Sequence, residues 1–212
     1  MIKTILLLVA LWVVFTAVRE LRWAEFLKDR TRKHLSLVSI FILTAIWALQ
    51  TGIRDGLEVH FLGLTALTLM LGWRLSIIIA SVATVLVTLI GVSSWTSFGE
   101  NLLFGAIWPV SLSYFVFLLT YTYMYRHLFI YIFIAGFFNG VLTLTTTMFI
   151  VGGYMALTGV HSWYAVKADY LLIIPLVALP EGLMNGVTIA ALVVYRPEWV
   201  CTFRDRDYLF KK

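Results

Sequence analysis

The chain has 212 residues, of which 61% are hydrophobic, 16% aromatic and only 13% charged, about half the charged share of an ordinary soluble domain. That balance excludes a soluble globular fold, and the net charge of +5 is read as lysine and arginine gathered on one membrane face rather than as a nucleic-acid surface. Cys201 is the single cysteine, which excludes an intrachain disulfide and a cysteine-based metal cluster.

A hydrocarbon layer of about 30 Å takes about 20 apolar residues in a helix. On that measure the predicted spans are Thr4–Val18, Leu35–Gln50, His60–Gly72, Leu75–Val92, Leu102–Met124, Leu128–Val151 and Tyr170–Tyr195. The first follows Lys3 and is read as a retained span: no A-x-A-like cleavage site follows it, and a basic cluster comes next. The linker 19–34 reads in two ways, as an amphipathic interfacial helix laying Leu21, Trp23 or Ala24, and Leu27 on lipid, or as a solvated loop. The third span is short, so spans three and four also read as one tilted or re-entrant hairpin broken at Trp73-Arg74. The expected fold is all-α: a single transmembrane domain, 1–212, of about seven spans, or six with the hairpin. It comprises an extra N-terminal span (1–18), the linker (19–34), a helical core (35–195) and a basic tail (196–212).

Charge sets the expected orientation. Thirteen of the 16 lysines and arginines lie in the linker, at Arg74, at Arg126 and in the tail, while Lys3, Arg54 and Lys167 fall on the other side. Cytoplasmic loops carry the positive excess, which puts the N-terminus outside and the C-terminus inside.

A short echo joins Gly136-Phe-Phe-Asn139-Gly140 to Gly182-Leu-Met-Asn185-Gly186. The small residues and the asparagine share one helix face, which suits close helix packing, the lining of a cavity, or docking of a partner subunit. Most of the unusual titratable residues fall at the expected outer face: Glu58, His60, Glu100, His161, Lys167 and Asp169, with Asn101 beside them. Glu181 lies deeper, after Pro180 in a span that Pro175 and Pro180 are expected to kink. Enzyme chemistry lacks its parts: there is no H-E-x-x-H, no G-x-S-x-G and no G-x-x-x-x-G-K-[ST], so neither proteolysis nor ATP hydrolysis by those routes is expected. His60 is the sharpest metal-ligating candidate, since neutral imidazole suits nickel, cobalt, copper and zinc. The competing reading is a hydrogen-bonded helix end.

Three stretches together resemble the cobalt/nickel substrate-capture membrane subunits of energy-coupling-factor ABC transporters. In "HLSLVSIFILTAIWALQTGIRDGLEVHFLGLTAL", His60-Phe61-Leu62-Gly63 matches the end of that family's P-G-G-T-S-x-H-L-x-G loop. In "SFGENLLFGAIWP", Gly99, Asn101 and Gly105 match G-x-N-x-x-x-M-G, and in "IIPLVALPEGLMNGVTIAALV", Glu181 and Gly182 match the Glu-Gly of its final helix. The resemblance implies uptake of a transition-metal ion (nickel, cobalt or copper) as substrate, with no organic cofactor. It also implies a prokaryotic cytoplasmic membrane, a transmembrane coupling subunit and a pair of cytoplasmic ATPases. In the family the ion is held by the N-terminal amine, the backbone nitrogen and imidazole of residue 2, and the loop histidine. Here that set maps to Met1, Ile2 and His60. Ile2 departs from the pattern because its side chain offers no imidazole, and Glu58 or His161 would fill the vacancy. Gly99, Asn101, Glu181 and His161 would form the supporting shell. A rival reading keeps the fold as a membrane scaffold or accessory subunit without a metal site. Transport of an organic solute is a third.

Overall fold

Apolar runs of this length fold as helices because a helix satisfies every backbone N–H and C=O internally. The computed structural model describes residues 2–54, 57–204 and 208. It places helix α1 at Ile2–Glu20, α2 at Trp23–Lys28, α3 at Arg30–Ala48, α4 at Leu64–Leu71 and α5 at Trp73–Leu89. Three long helices follow: α6 at Trp95–Tyr123, α7 at Leu128–Leu157 and α8 at Trp163–Tyr195. Strands β1 (Thr51–Arg54) and β2 (Leu57–Val59) pair antiparallel between α3 and α4, with Gly52 opposite Glu58. Among the described residues the chain is therefore all-α apart from one short hairpin. Helices α1, α6, α7 and α8 are each long and apolar enough to cross a membrane.

Two ends of the bundle are defined by side chains that tie distant segments together. At one end Lys3 meets Glu100 at 3.2 Å, and Gln50 Nε2 donates to the Val92 carbonyl at 3.1 Å. At the other, Arg74 meets Glu20 at 3.0 Å and Trp73 Nε1 donates to Ser111 Oγ at 3.1 Å. Helix α1 packs on α5 and on the start of α6. It buries the small residues Ala10 and Ala17 there and turns Leu8, Trp12 and Phe15 outward.

Several boundaries differ from those expected. The linker is not one interfacial helix. Six residues form α2, and Asp29 then caps α3 by accepting from the Arg32 N–H at 3.0 Å, so this helix starts five residues before Leu35. The third span is not helical from His60. The chain has no regular secondary structure from His60 to Gly63, whose φ of 65° ends that stretch, and α4 has only 8 residues, about 12 Å at 1.5 Å per residue. Gly72, at φ 82°, separates α4 from α5, one residue before the expected break. Helices α6 and α8 begin ahead of the expected Leu102 and Tyr170. Wide turns with i to i+5 bonds at Asn101–Ile107 and Val166–Tyr170 let them continue through the polar residues at their entries.

The two echo motifs pack against each other. A Cβ on Gly140 would lie 3.3 Å from the Gly182 Cα, and one on Gly136 would lie 3.5 Å from the Gly186 Cα. Glycine at these positions lets α7 and α8 approach to backbone contact, and Asn139 and Asn185 are buried in the same layer. Asn139 Nδ2 donates to the carbonyls of Ser113 and Ala135, both at 3.0 Å, which joins α6 to α7. Close packing is the reading the structure supports.

Candidate metal-capture site

A cavity of about 100 Å³ opens among the end of α3, strand β2 and its exit, α5, α6, α7 and the entry of α8. Four of the expected residues line it, Glu58, His60, Glu100 and Asn101, along with Gln50 and Tyr154. Trp47, Leu144 and Met148 supply apolar wall. Among the described residues, no three His, Cys, Asp or Glu side chains come together at metal-ligand spacing. The protein side chains thus offer a cavity with one imidazole and two carboxylates rather than a closed coordination shell.

His60 sits on the non-helical segment between β2 and α4. Its Nδ1 lies 3.1 Å from the Phe61 carbonyl oxygen. A carbonyl only accepts, so Nδ1 carries the proton and Nε2 keeps the lone pair, the form in which imidazole binds a cation. Trp47 braces the ring at 5.6 Å between centroids, and its Nε1 donates to the Leu62 carbonyl at 3.2 Å.

The segment that carries His60 is held from below by α8. Glu181 is 1% exposed and its carboxylate accepts from the Leu62 N–H at 2.8 Å and the Gly63 N–H at 2.9 Å. Asn185, one turn on, donates to Glu181 Oε1 at 2.7 Å and accepts from the Ala66 N–H at 2.8 Å. A non-helical chain inside a helical bundle leaves amides without partners, and a helix start leaves more. Glu181 and Asn185 supply the missing acceptors, and a carboxylate at the N-terminus of α4 also meets the positive end of the helix dipole.

Glu100, 5% exposed, receives the Tyr154 hydroxyl at 2.6 Å and the Lys3 ammonium at 3.2 Å. Sequence reasoning placed Glu100 among the polar residues of this face but gave it no role, and it missed Tyr154 and Gln50, which carry no motif.

The remaining candidates lie elsewhere. Gly99 does not line the cavity. Its absent side chain seats α1, since a Cβ there would lie 3.1 Å from the Leu7 Cα. His161 is in the turn between α7 and α8, where its N–H donates to the Met155 carbonyl at 3.3 Å. Ile2, 55% exposed, opens α1 outside the cavity wall. Met1 lies outside the described residues.

Long apolar helices with a small cavity at one end define a multi-pass membrane protein. Comparison with protein families is more definite: residues 2–199 match the cobalt uptake substrate-specific transmembrane region, CbiM. The chain belongs to that family and is a membrane component of cobalt uptake. No curated protein and no solved structure matches it.

Proposed function

We propose that the chain is the cation-capturing component of an energy-coupling-factor type transporter. His60 Nε2 is its main side-chain ligand for cobalt, and Glu58 is the second donor from the same cavity. The single observation that carries this reading is the His60 ring, braced by Trp47 and fixed by Phe61 so that Nε2 is the free nitrogen, beside a cavity that Glu58, Glu100 and Asn101 also line. Nickel or copper would fit the same imidazole, and cobalt is the ion in the family's description.

Seven crossings, with the N-terminus outside and the tail in the cytoplasm, follow from the placement of lysine and arginine. Helix α4 and the non-helical chain before it make up the third crossing, the part read from sequence as short or re-entrant. With no phosphate-binding loop of its own, the chain would rely on a coupling subunit and cytoplasmic ATPases in a prokaryotic cytoplasmic membrane and catalyse nothing itself. Purified wild-type protein should retain cobalt near one ion per chain, and His60→Ala should bind it at least about tenfold more weakly. Equal affinity in the two proteins would remove His60 from the site.

A second reading is a scaffold that keeps the fold without the metal. It is favoured by Ile2 standing where the family's second histidine would be and by the lack of a three-side-chain cluster among the described residues. It predicts far less than one cobalt per chain in wild type.

A further inference from the structure

Helix α4 cannot stand alone. Eight residues are too few for a stable isolated helix, and about half of their backbone groups lack a partner within it. At its start, the amides of Leu62, Gly63 and Ala66 are taken by Glu181 and Asn185 of α8. At its other end, the Leu69 carbonyl accepts from Thr202 Oγ1 at 2.7 Å and from the Thr202 N–H at 3.3 Å, and the Met70 carbonyl accepts from the Cys201 N–H at 2.9 Å. Both sets of partners come from the C-terminal part of the chain, since residues 201–202 follow the end of α8 at Tyr195 after a short turn that includes Pro197–Trp199.

We infer that α8 and the tail behind it grip α4 at both ends, so that Thr202, at the opposite end of the bundle, is a positioning residue for the His60 segment. The Thr202 hydroxyl is itself fixed. Having given its proton to Leu69, it accepts from the Tyr131 hydroxyl at 2.6 Å. Tyr131 is fully buried, with Phe203 and Tyr208 packed on its ring at 5.2 and 5.0 Å between centroids. Loss of the Thr202 hydroxyl takes the shortest of these bonds from the end of α4 and leaves only the backbone N–H donors of Thr202 and Cys201. A rod this short has few bonds of its own to hold its axis, so the disturbance reaches Gly63 and Leu62. Linkage makes the effect reciprocal: whatever moves the tail changes cation affinity at His60, and cation binding changes how firmly the tail is seated. A subunit docked on that face would then sense occupancy through Thr202.

The part concerning affinity rests on His60 being a cation ligand, and the part concerning the grip does not, so two readouts are needed. Thr202→Val keeps the shape and removes the hydroxyl, while Thr202→Ser keeps the hydroxyl. In detergent-purified full-length protein without metal, amide exchange at Leu62 and Gly63 should be about tenfold faster in Thr202→Val. Exchange in α7 should be unchanged, and Thr202→Ser should match wild type. Cobalt Kd should rise about tenfold in Thr202→Val alone. Exchange at Leu62 and Gly63 equal to wild type overturns the inference, as does faster exchange with an unchanged cobalt Kd. If wild type itself binds no cobalt, the capture reading fails and the exchange comparison still decides the grip. Should Thr202→Val not fold, Thr202→Ala removes the same hydroxyl and carries the same expectations.

Discussion

Glu181 and Gly63 are 118 residues apart in the chain, yet the Gly63 N–H donates to Glu181 Oε1 at 2.9 Å. With the neighbouring bond from Leu62, this contact makes a buried acid the anchor of the segment bearing His60. Glu181→Ala would strand two buried amides, at a cost of about 1–3 kcal/mol for each. Glu181→Gln, which keeps an acceptor oxygen, should lose less. The thermal midpoint in detergent should fall in the order wild type, Gln, Ala. An Ala variant as stable as wild type would mean that water serves these amides equally well.

Cobalt should stabilise the folded chain, because an ion that binds only the native state shifts the unfolding equilibrium. At a hundred times Kd the gain is about 2.7 kcal/mol. The midpoint of wild type should rise on adding cobalt and return on chelation, while His60→Ala, with a Kd at least about tenfold higher, should gain about 1.4 kcal/mol or less at the same cobalt concentration. A rise of equal size in both proteins would point to a cation site elsewhere.

The contact between α7 and α8 should tolerate no methyl group at Gly182. A Cβ there would lie 2.9 Å from the Phe137 carbonyl oxygen, and overpacking of this kind costs about 1–3 kcal/mol. Gly153, on the same α7, has nothing within 4 Å of its would-be Cβ. Gly153→Ala should therefore be neutral or gain up to about 1 kcal/mol from helix propensity. Thermal unfolding of the two alanine variants side by side tests the pair. Matching midpoints would show that the helices separate without penalty.

Gly99 and Lys3 should contribute unequally to the seating of α1. The Lys3 side chain is 60% exposed, so Lys3→Ala should cost at most about 1 kcal/mol. Gly99→Val would push directly on the Leu7 backbone. Trypsin cleavage within the linker 19–34 should accelerate in Gly99→Val and not in Lys3→Ala. The reverse order would make the ion pair, not the close approach, the fastening of α1.

The helical class and most of the long helices were legible in the sequence because apolar length is a local property. Where helices start was less so. Asp29 ahead of Arg32 is a capping pattern that apolar run length alone passes over, and it moved α3 back into the basic linker. The wide turns in α6 and α8 have no composition of their own. Glu181 stood out because a carboxylate deep in an apolar span needs a partner. The partner stayed hidden, because the Leu62 and Gly63 amides belong to backbone, which sequence does not distinguish from residue to residue. Gly99 was visible only as part of a resemblance, and the fold gives it a packing task at α1 instead of a place in the cavity. Glu58, His60, Glu100 and Asn101 were all noted as polar residues of one face, and they do line one cavity.

The bond from Gly63 to Glu181 also sets an order of events during synthesis. Residues 60–63 leave the ribosome more than a hundred residues before their anchor does, so the nascent histidine segment waits without its acceptor while four further helices are made and inserted. A chain stalled ahead of Glu181 should leave that segment open to protease at the membrane surface, and protection should arrive only with the last helix.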